Sequence, residues 1–394
     1  MTRLAILASH PIQYYAPLFR ELAGQIDLHV FYAHNATPEQ QAAAGFGTGF
    51  KWDIDLTSGY SHSFLNNLAK VPSTSSFSGC DTPEIGARLR EGQFGAVLAT
   101  GWHLKSMLQG IWAARRRALK VIVRGDSHLD TPRSAVKSTV KSLSYPVLLR
   151  VFDACLYVGE RNKSYFEHYG VPSARLFHSP HCVDNARFRD GASVKARLSL
   201  RQQLGVNAEE KLVLFAGKLL PFKRPLDVVD AVDQVRRSGL HVSLMVAGSG
   251  PLESEMRARA HTRNLPLHML GFQNQSAMSA AYAASDVVVL PSNGRETWGL
   301  VCNEALACGR GIIVSDKVGC GPDLAADNRV GRMFPMGNID AFQRCLERSL
   351  MEPASLEEVR ALSDRFSLRA AADGIIRSLQ TDASLASVRS NGVV

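Results

Sequence analysis

The sequence LPSNGRETWGLVCNEALACGRG at residues 290–311, followed by IIVS at 312–315 and GCGPD at 319–323, holds the most informative pattern in the chain. The run DVVVL at 286–290 is apolar and β-branched, as expected of a buried parallel strand. A loop follows it, and then a run of good helix formers, EALA at 304–307. The pattern therefore predicts a strand, a loop, a helix, a second strand and a second loop.

Two carboxylates lie on either side of the predicted helix start. Glu296 is in the loop, and Glu304 is in the helix, roughly 8 Å further along the axis. A helix N-terminus favours phosphate, and Gly299 lets a ligand approach the backbone closely. Carboxylates next to a phosphate site should accept hydrogen bonds from hydroxyl groups instead. We therefore favour a nucleotide-sugar ligand over the alternative, an ordinary solvated helix start.

Several features of this stretch resemble the donor-site signature of family 4 retaining glycosyltransferases. They are the spacing of Glu296 and Glu304, the small residues that end the helix, the next strand, and the Gly-rich turn at 319–321. The resemblance covers nearly the whole chain. It implies the α/β GT-B fold, in which two Rossmann-like, doubly wound domains face each other across a cleft. It also implies that Glu304 binds ribose hydroxyls, that Glu296 binds hydroxyls of the donor sugar, and that the backbone at Gly299 and Leu300 holds the diphosphate.

The composition is that of an ordinary globular protein. The chain has 394 residues, of which 45% are hydrophobic and 21% charged, enough for two or three domains with sizeable cores. Seven scattered cysteines without a Cys-x-x-Cys pair predict reduced thiols in a cytoplasmic enzyme. The start, MTRLAILASH, predicts a first strand and no signal peptide, and no apolar stretch is long enough to span a membrane.

Positive charge is concentrated in residues 115–150, where nine basic residues outnumber two acidic ones. Such a segment suits an anionic membrane surface, a phosphorylated acceptor or nucleic acid. Aromatic residues are sparse there and no base-reading module is recognisable, so nucleic acid is not an expected partner. Two interpretations stay open: peripheral association with the inner face of the plasma membrane, and a merely solvated basic surface.

The first half of the chain alternates predicted strands and helices, which indicates a parallel, doubly wound sheet. Ligands of such sheets bind beyond the carboxyl ends of the strands. Polar and aromatic residues follow two of those ends: His10, Gln13 and Tyr14 after the first strand, and His103 after a later one. We assign these four residues to the acceptor side of the cleft; a capped helix start is the alternative for the loop at His10.

Another strand, at 120–124, leads into Asp126 and His128. Relatives in the family often carry a histidine here that contacts the transferred sugar. In this chain Asp126 stands at that position, with His128 two residues later, so both are catalytic candidates together with Glu296. Asp126 could instead pair with Arg124 or cap a turn.

The second half of the chain restarts the same pattern at residue 211. Gly217, Lys218 and Lys223 lie in the loop after its first strand, where relatives carry an Arg and a Lys five residues apart, both on the donor diphosphate. A lysine keeps the charge of the arginine without its bidentate geometry. Two cations can stabilise a departing diphosphate in place of a divalent metal, so no metal and no cofactor are expected. Phe272 stands where relatives hold the nucleobase.

These patterns predict an acceptor-side domain at 1–190, a linker at 191–210, a donor domain at 211–365, a helix at 366–380 that crosses back to the first domain, and a tail at 381–394. The predicted function is retaining transfer of a sugar from a nucleotide-sugar to a saccharide or lipid-linked acceptor, in bacterial surface polysaccharide synthesis. Two alternatives stay open: a GT-B nucleotide-sugar epimerase or inverting transferase, and a non-catalytic partner subunit that binds a sugar nucleotide.

Overall fold

The structure, a computed structural model, describes residues 2–35, 37 and 50–381, so the predicted tail lies outside the described residues from position 382 onward. Within the described chain, a first sheet has seven parallel strands in the order β3-β2-β1-β4-β5-β6-β7. These strands are β1 (Leu4–Ala8), β2 (Leu28–Tyr32), β3 (His62–Phe64), β4 (Ala96–Ala99), β5 (Lys120–Gly125), β6 (Ala154–Tyr157) and β7 (Leu176–His178).

The helices of this first half connect and cover the sheet. They are α1 (Tyr15–Ala23), α2 (Ile85–Glu91), α3 (Lys105–Arg115), α4 (Ala135–Leu148) and α5 (Glu160–His168). Helix α6 (Asn185–Gly191) follows the last strand of this sheet but packs on the second half of the chain, where its Phe188 is buried. Strand β1 reads LAILA and is buried at every position, because helices cover both faces of a doubly wound sheet. The strand order reverses between β1 and β4, and a ligand site is expected beyond the carboxyl ends of the strands at such a switch point.

A second parallel sheet has six strands in the order β10-β9-β8-β11-β12-β13. The strands are β8 (Lys211–Ala216), β9 (Val242–Ala247), β10 (Leu267–Gly271), β11 (Val287–Leu290), β12 (Gly311–Ser315) and β13 (Gly331–Phe334). The helices are α7 (Val194–Leu204), α8 (Pro225–Arg237), α9 (Glu253–Thr262), α10 (Gln275–Ala284), α11 (Leu300–Ala307), α12 (Gly321–Leu324), α13 (Ile339–Met351) and α14 (Leu356–Arg365). The predicted fold, two Rossmann-like α/β domains, is confirmed.

The segment predicted as a linker, 191–210, is part of the second domain. It contains helix α7, on which Arg197 and Arg201 stand one turn apart. Both guanidinium groups contact the Asp286 carboxylate at the start of β11, at 2.7 Å and 3.4 Å. The linker prediction for this segment is therefore wrong, because its polar side chains make ion pairs within the fold.

The last described helix, α15 (Leu368–Gln380), packs on the first domain. Its Ala371, Ala372 and Ile375 are buried in the core formed with β1, β2 and α1. A Cβ atom at Gly374 would lie 1.9 Å from the carbonyl oxygen of His178 in β7. Glycine at that position therefore permits the close approach of this helix to the first sheet.

A contact between the domains gives a pH-dependent prediction. The backbone N–H of Glu160 in α5 donates to both carboxylate oxygens of Asp323 in α12, at 3.1 Å each. Burial raises the pKa of Asp323 to about 6. The folded protein therefore keeps this proton in a pH range where the unfolded chain, with a carboxyl pKa near 3.8, has lost it.

Asp323→Asn should match the wild type in stability below about pH 4 and exceed it above about pH 6. As the pH rises through this window, the free energy of unfolding of the wild type falls by about 2–3 kcal/mol, at 1.36 kcal/mol per pKa unit. It falls because the proton that stabilises the folded state dissociates from Asp323. Urea unfolding of both proteins at pH 4, 5, 6 and 7 measures the difference. Parallel curves across this range would contradict the raised pKa of Asp323.

Candidate active site

Two cavities lie at the carboxyl ends of the strands. The larger, of about 540 Å³, lies between the two domains and is called here the interdomain cavity. The smaller, of about 300 Å³, is lined mainly by residues that follow β1, β4 and β5 and is called the first-domain cavity. Tyr14, Asp126 and His181 line both cavities. The two spaces therefore adjoin, and the Asp126 carboxylate stands where they meet.

The interdomain cavity brings together the residues that the sequence assigns to the donor. Its walls include two carboxylates, two lysines, the glycines of two loops and an aromatic ring, namely Gly217, Lys218, Lys223, Phe272, Glu296, Gly299, Leu300 and Glu304. Gln13 and Tyr14 from the first domain also line it. A volume in this range suits a small organic ligand.

The loop before α11 brings the backbone close to this cavity. Gly299 caps the helix with a φ of 103°, a left-handed conformation that side chains rarely adopt. A Cβ atom there would also lie 2.5 Å from Cδ2 of Leu290, so the position is closed to larger residues on two grounds. The N-terminus of α11 therefore faces the cavity without a side chain in front of it, as an anion site requires.

An ion pair joins two residues that the sequence assigns to different parts of the donor. The Lys223 ammonium contacts Oε2 of Glu296, and the Ser292 hydroxyl donates to the same oxygen at 3.1 Å. The side chains of Lys223 and Glu296 are only 14% and 15% exposed, so the pair is poorly screened by solvent. Burial, and then the charge of Lys223, lower the pKa of Lys218. The two lysines thus form a single cationic wall.

Glu304 is buried on the opposite side of the α11 N-terminus. The Tyr282 hydroxyl donates to its Oε2 at 2.6 Å and fixes the carboxylate orientation. Burial raises the pKa of Glu304, while the Tyr282 hydrogen bond, the charge of Arg187 and a hydrogen bond from Gln275 act in the opposite direction. Arg187 in turn donates to the Gln275 side-chain oxygen at 2.7 Å. The carboxylate is therefore held in place for hydrogen bonding with a ligand.

Asp126 connects the two domains at the junction of the cavities. The Thr297 hydroxyl donates to its Oδ2 at 2.8 Å, and Nε2 of His181 lies 3.9 Å from the same oxygen. Burial alone would raise the pKa of Asp126, but the nearby His181 ring, the hydrogen bond from Thr297 and the charge of Arg124 lower it to about 2. The side chain is 46% exposed, so this ionised carboxylate can reach a ligand in the cavities.

The first-domain cavity has aromatic walls. Trp102, His103 and Tyr145 line it, and the Trp102 indole N–H donates to the Tyr145 hydroxyl at 3.4 Å. Burial lowers the pKa of His103. The Arg124 guanidinium also lines the cavity, but it donates to the carbonyl oxygens of Ser179 and Pro180. The cavity combines these aromatic faces with polar side chains such as Ser9, Thr100 and Asp126, and this combination suits the ring and the hydroxyl groups of a sugar.

The structure does not place His128 in either cavity. Its side chain is 1% exposed. The loop that carries it is fixed against neighbouring elements, because Asn162 donates to the carbonyl oxygen of Ser127 and Arg133 donates to that of His128. The buried His128 lies outside the cavity walls, so its catalytic role stays a prediction, and Asp126 is the residue of this loop that lines both cavities.

His10 also lies outside the walls of both cavities. Its Nδ1 is 2.9 Å from the Ser9 hydroxyl, and burial, followed by the charge of His34, lowers the pKa of His10 to about 4. It is a neutral, partly buried residue of the first loop and supports the loop rather than touching a ligand. The other three acceptor-side predictions, Gln13, Tyr14 and His103, do line a cavity.

A contact that we call the clasp, formed by residues 50–53 and 272–276, joins the first domain to the start of α10. The Ser276 backbone N–H donates to Asp53 at 3.1 Å, and the Asn274 amide donates to the Lys51 carbonyl oxygen at 2.8 Å. The rings of Phe50 and Phe272 are 4.4 Å apart. Trp52 in this clasp lines the interdomain cavity.

Sequence reasoning missed several cavity residues, among them Trp52, Arg187, His181 and Tyr145. Trp52 lies in a segment without periodicity, so no sequence signal identifies it. Arg187 lies just before the predicted linker, in a polar stretch of sequence. That stretch gives no indication that Arg187 lies near Glu304. His181 and Tyr145 follow or belong to predicted elements, but the patterns say nothing about which face they occupy.

Among residues 2–35, 37 and 50–381, no three His, Cys, Asp or Glu side chains are grouped as a metal site would require. In the part of the chain that the structure describes, no helix combines the length and the apolar character needed to cross a membrane.

Comparison with known proteins agrees with the geometry of the second domain. Residues 197–365 match the family model described as "Glycosyl transferases group 1". A D-inositol 3-phosphate glycosyltransferase of Segniliparus rotundus is 30% identical over 222 residues, which are 54% of this chain and 48% of that protein. A GDP-mannose-dependent alpha-(1-6)-phosphatidylinositol monomannoside mannosyltransferase of Mycolicibacterium smegmatis is 27% identical over 209 residues, 51% of this chain and 54% of that protein. The chain spans about half the length of these curated relatives.

The whole chain is similar in fold to a solved structure. The crystal structure of Anabaena Alr3699/HepE in complex with UDP matches it with a TM-score of 0.72, over 96% of this chain and 99% of that one, at 16% sequence identity. The predicted resemblance to glycosyltransferases and the predicted GT-B fold are both confirmed. Residues 197–365 are thus similar to group 1 glycosyl transferases, and they lie in a chain that has the GT-B fold.

Proposed function

We propose that this protein is a retaining glycosyltransferase, which moves a sugar from a nucleotide-sugar in the interdomain cavity to a saccharide or lipid-linked acceptor in the first-domain cavity. One observation carries most of the proposal. Glu296 and Glu304 face a single cavity from either side of a helix N-terminus, with Lys218 and Lys223 beside them, and this cavity adjoins a second one at Asp126.

Each end of the donor has a matching group in this arrangement. Glu304, whose carboxylate is oriented by Tyr282, accepts hydrogen bonds from the ribose hydroxyls. The α11 N-terminus and the two lysines hold the diphosphate, and Glu296 accepts from hydroxyls of the sugar. Phe272 also lines the cavity, and we assign its ring to the nucleobase.

The transfer itself needs little from the protein besides placement and charge. The bond from the anomeric carbon to the phosphate oxygen breaks, the acceptor oxygen bonds to the same face of the sugar, and the acceptor proton passes to the departing diphosphate. The lysines stabilise the charge that develops on that diphosphate, which is the role a metal has in other transferases. Asp126 accepts a hydrogen bond from a hydroxyl of the sugar or the acceptor and orients it.

The proposed setting is synthesis of a bacterial surface polysaccharide or lipid-linked glycan. The name of the mycolicibacterial relative, a mannosyltransferase for phosphatidylinositol monomannoside, supports a lipid-linked acceptor. We expect the protein to act in the cytoplasm, where nucleotide-sugars are made.

Calorimetric titration with UDP, GDP, ADP and CMP is the first test. One nucleoside diphosphate should bind clearly better than the others, and UDP and GDP come first because solved or curated relatives carry them in their names. The corresponding nucleotide-sugars then serve as donors, and NMR of the product gives its anomeric configuration. An inverted product would reject retention, nucleotide binding without transfer would favour the non-catalytic partner subunit, and failure of all four nucleotides to bind would reject the donor site itself.

A further inference from the structure

Helix α4 has an aliphatic face exposed to solvent. None of its residues is buried, and Val136, Val140, Leu143 and Val147 are 73%, 59%, 75% and 64% exposed. Their spacing of four, three and four residues places them within about 60° of one another around the helix, at 100° per residue. A surface helix of a soluble protein normally turns such a stripe towards the core.

The opposite face of α4 carries its contacts with the protein. Lys141 donates to the Tyr165 hydroxyl at 2.7 Å, and its ammonium lies 4.4 Å from the centre of the Tyr145 ring. Tyr145 packs against Tyr169, with ring centres 5.3 Å apart. The helix is thus fixed to the domain by polar and aromatic residues, so the outward direction of its aliphatic stripe is built into the fold.

Charge around the stripe identifies what it contacts. Residues 131–152 contain four basic residues, Arg133, Lys137, Lys141 and Arg150, and no acidic residue. Lys137 and Arg150 are exposed near the stripe, whereas Lys141 and Arg133 make contacts within the protein. Aliphatic side chains with flanking cations suit an anionic lipid surface. A second copy of the chain, placed symmetrically on the same face, would bring these like charges together, which opposes self-association.

We propose that α4 docks in the plane of an anionic lipid bilayer, with its four aliphatic side chains between the lipid headgroups. Tyr145 on the inner face of the same helix is a wall of the first-domain cavity. Docking therefore brings that cavity to the lipid surface, where it receives an acceptor carried by the membrane. The acceptor statement rests on the proposed function, whereas docking itself does not.

One of the two interpretations of the sequence is that the basic region 115–150 contacts the membrane, whereas the structure favours the aliphatic stripe of α4 as the contact surface. Arg115 at the start of that region donates to both carboxylate oxygens of Asp153, and the Arg116 guanidinium lies over the Trp112 ring at 4.9 Å. These arginines are engaged in contacts within the protein. The segment that we expect to contact the membrane is therefore residues 133–150 and not the whole of 115–150.

Vesicle flotation tests the proposal with the full chain. One set of vesicles contains phosphatidylcholine alone, and the other contains phosphatidylcholine with about 30% anionic phosphatidylglycerol. The wild type should float with the anionic vesicles. Val140→Ser/Leu143→Ser should reduce this binding at least about tenfold, because two aliphatic side chains no longer leave water. Both positions are exposed, so the substitutions leave the core intact.

A matched control stands on helix α7, where Val194 and Leu198 are 74% and 61% exposed and also lie one turn apart. Val194→Ser/Leu198→Ser should float like the wild type. Absence of wild-type binding, equal loss in both variants, or a wild-type dimer that Val140→Ser/Leu143→Ser converts to a monomer would each overturn the proposal. Nucleotide affinity should be the same in all three proteins, so loss of flotation alone leaves the transferase proposal standing.

Discussion

Lys223→Ala is expected to weaken nucleoside diphosphate binding by about 2–5 kcal/mol, the range measured when one partner of a buried, hydrogen-bonded charge pair is removed. Two effects act in the same direction. The diphosphate loses a cation, and the Glu296 carboxylate, now without its ion pair, repels the ligand. Calorimetric titration with the nucleotide that binds best measures the change, and Lys195→Ala, at an exposed position, is the control.

A second variant separates the two effects. In Lys223→Ala/Glu296→Gln the unpaired carboxylate is gone, so the double variant should bind nucleoside diphosphate more tightly than Lys223→Ala alone. The difference in binding free energy between this double variant and Glu296→Gln then measures the effect of losing the cation. Unchanged affinity in Lys223→Ala, with an unchanged melting temperature, would place the diphosphate elsewhere in the interdomain cavity.

Glu304→Gln is expected to weaken nucleotide binding by about 1.5–3 kcal/mol, the range for hydrogen bonds to charged groups. Glutamine keeps an oxygen that accepts from the Tyr282 hydroxyl, so the change removes the charge and leaves the buried tyrosine paired. A nucleotide that lacks the ribose hydroxyls should bind the wild type and the variant alike. If the variant binds the ribonucleotide as well as the wild type does, the ribose role of Glu304 fails.

The pH dependence of this binding provides a second measurement. Burial raises the pKa of Glu304 above its ordinary value, so the acid form appears at a higher pH than it would for an exposed glutamate. Because only the carboxylate accepts hydrogen bonds at both oxygens, wild-type affinity should fall as the pH is lowered through this raised pKa. The affinity of Glu304→Gln should stay constant across the same range.

The donor site could be predicted largely because its residues belong to one continuous stretch. Glu296, Gly299 and Glu304 are fixed relative to one another by a loop and a helix of known geometry, and a strand pattern before them sets the direction. Lys218 and Lys223 follow the first strand of the same domain in a similar way. Local periodicity places these five residues at one edge of one sheet, and the resemblance to family 4 glycosyltransferases supplies the roles predicted for them.

The remaining features depend on contacts between distant parts of the chain, which local patterns do not encode. Asp126 and Thr297 are 171 residues apart, and Asp53 and Ser276 are 223 residues apart. The position of His128 outside the cavity walls has a related cause. The direction of a loop residue depends on what holds the loop, here Asn162 and Arg133.

The clasp also has a kinetic consequence. The domains cannot separate at this edge unless the Asp53 and Asn274 hydrogen bonds break and the Phe50 and Phe272 rings part. Any molecule that leaves the interdomain cavity past this edge must wait for that event, so its residence time depends on Phe50 and Asp53, two first-domain residues outside the cavity wall. Two short peptide segments, one from each domain, thereby act as a latch whose lifetime is separate from the affinity of the site.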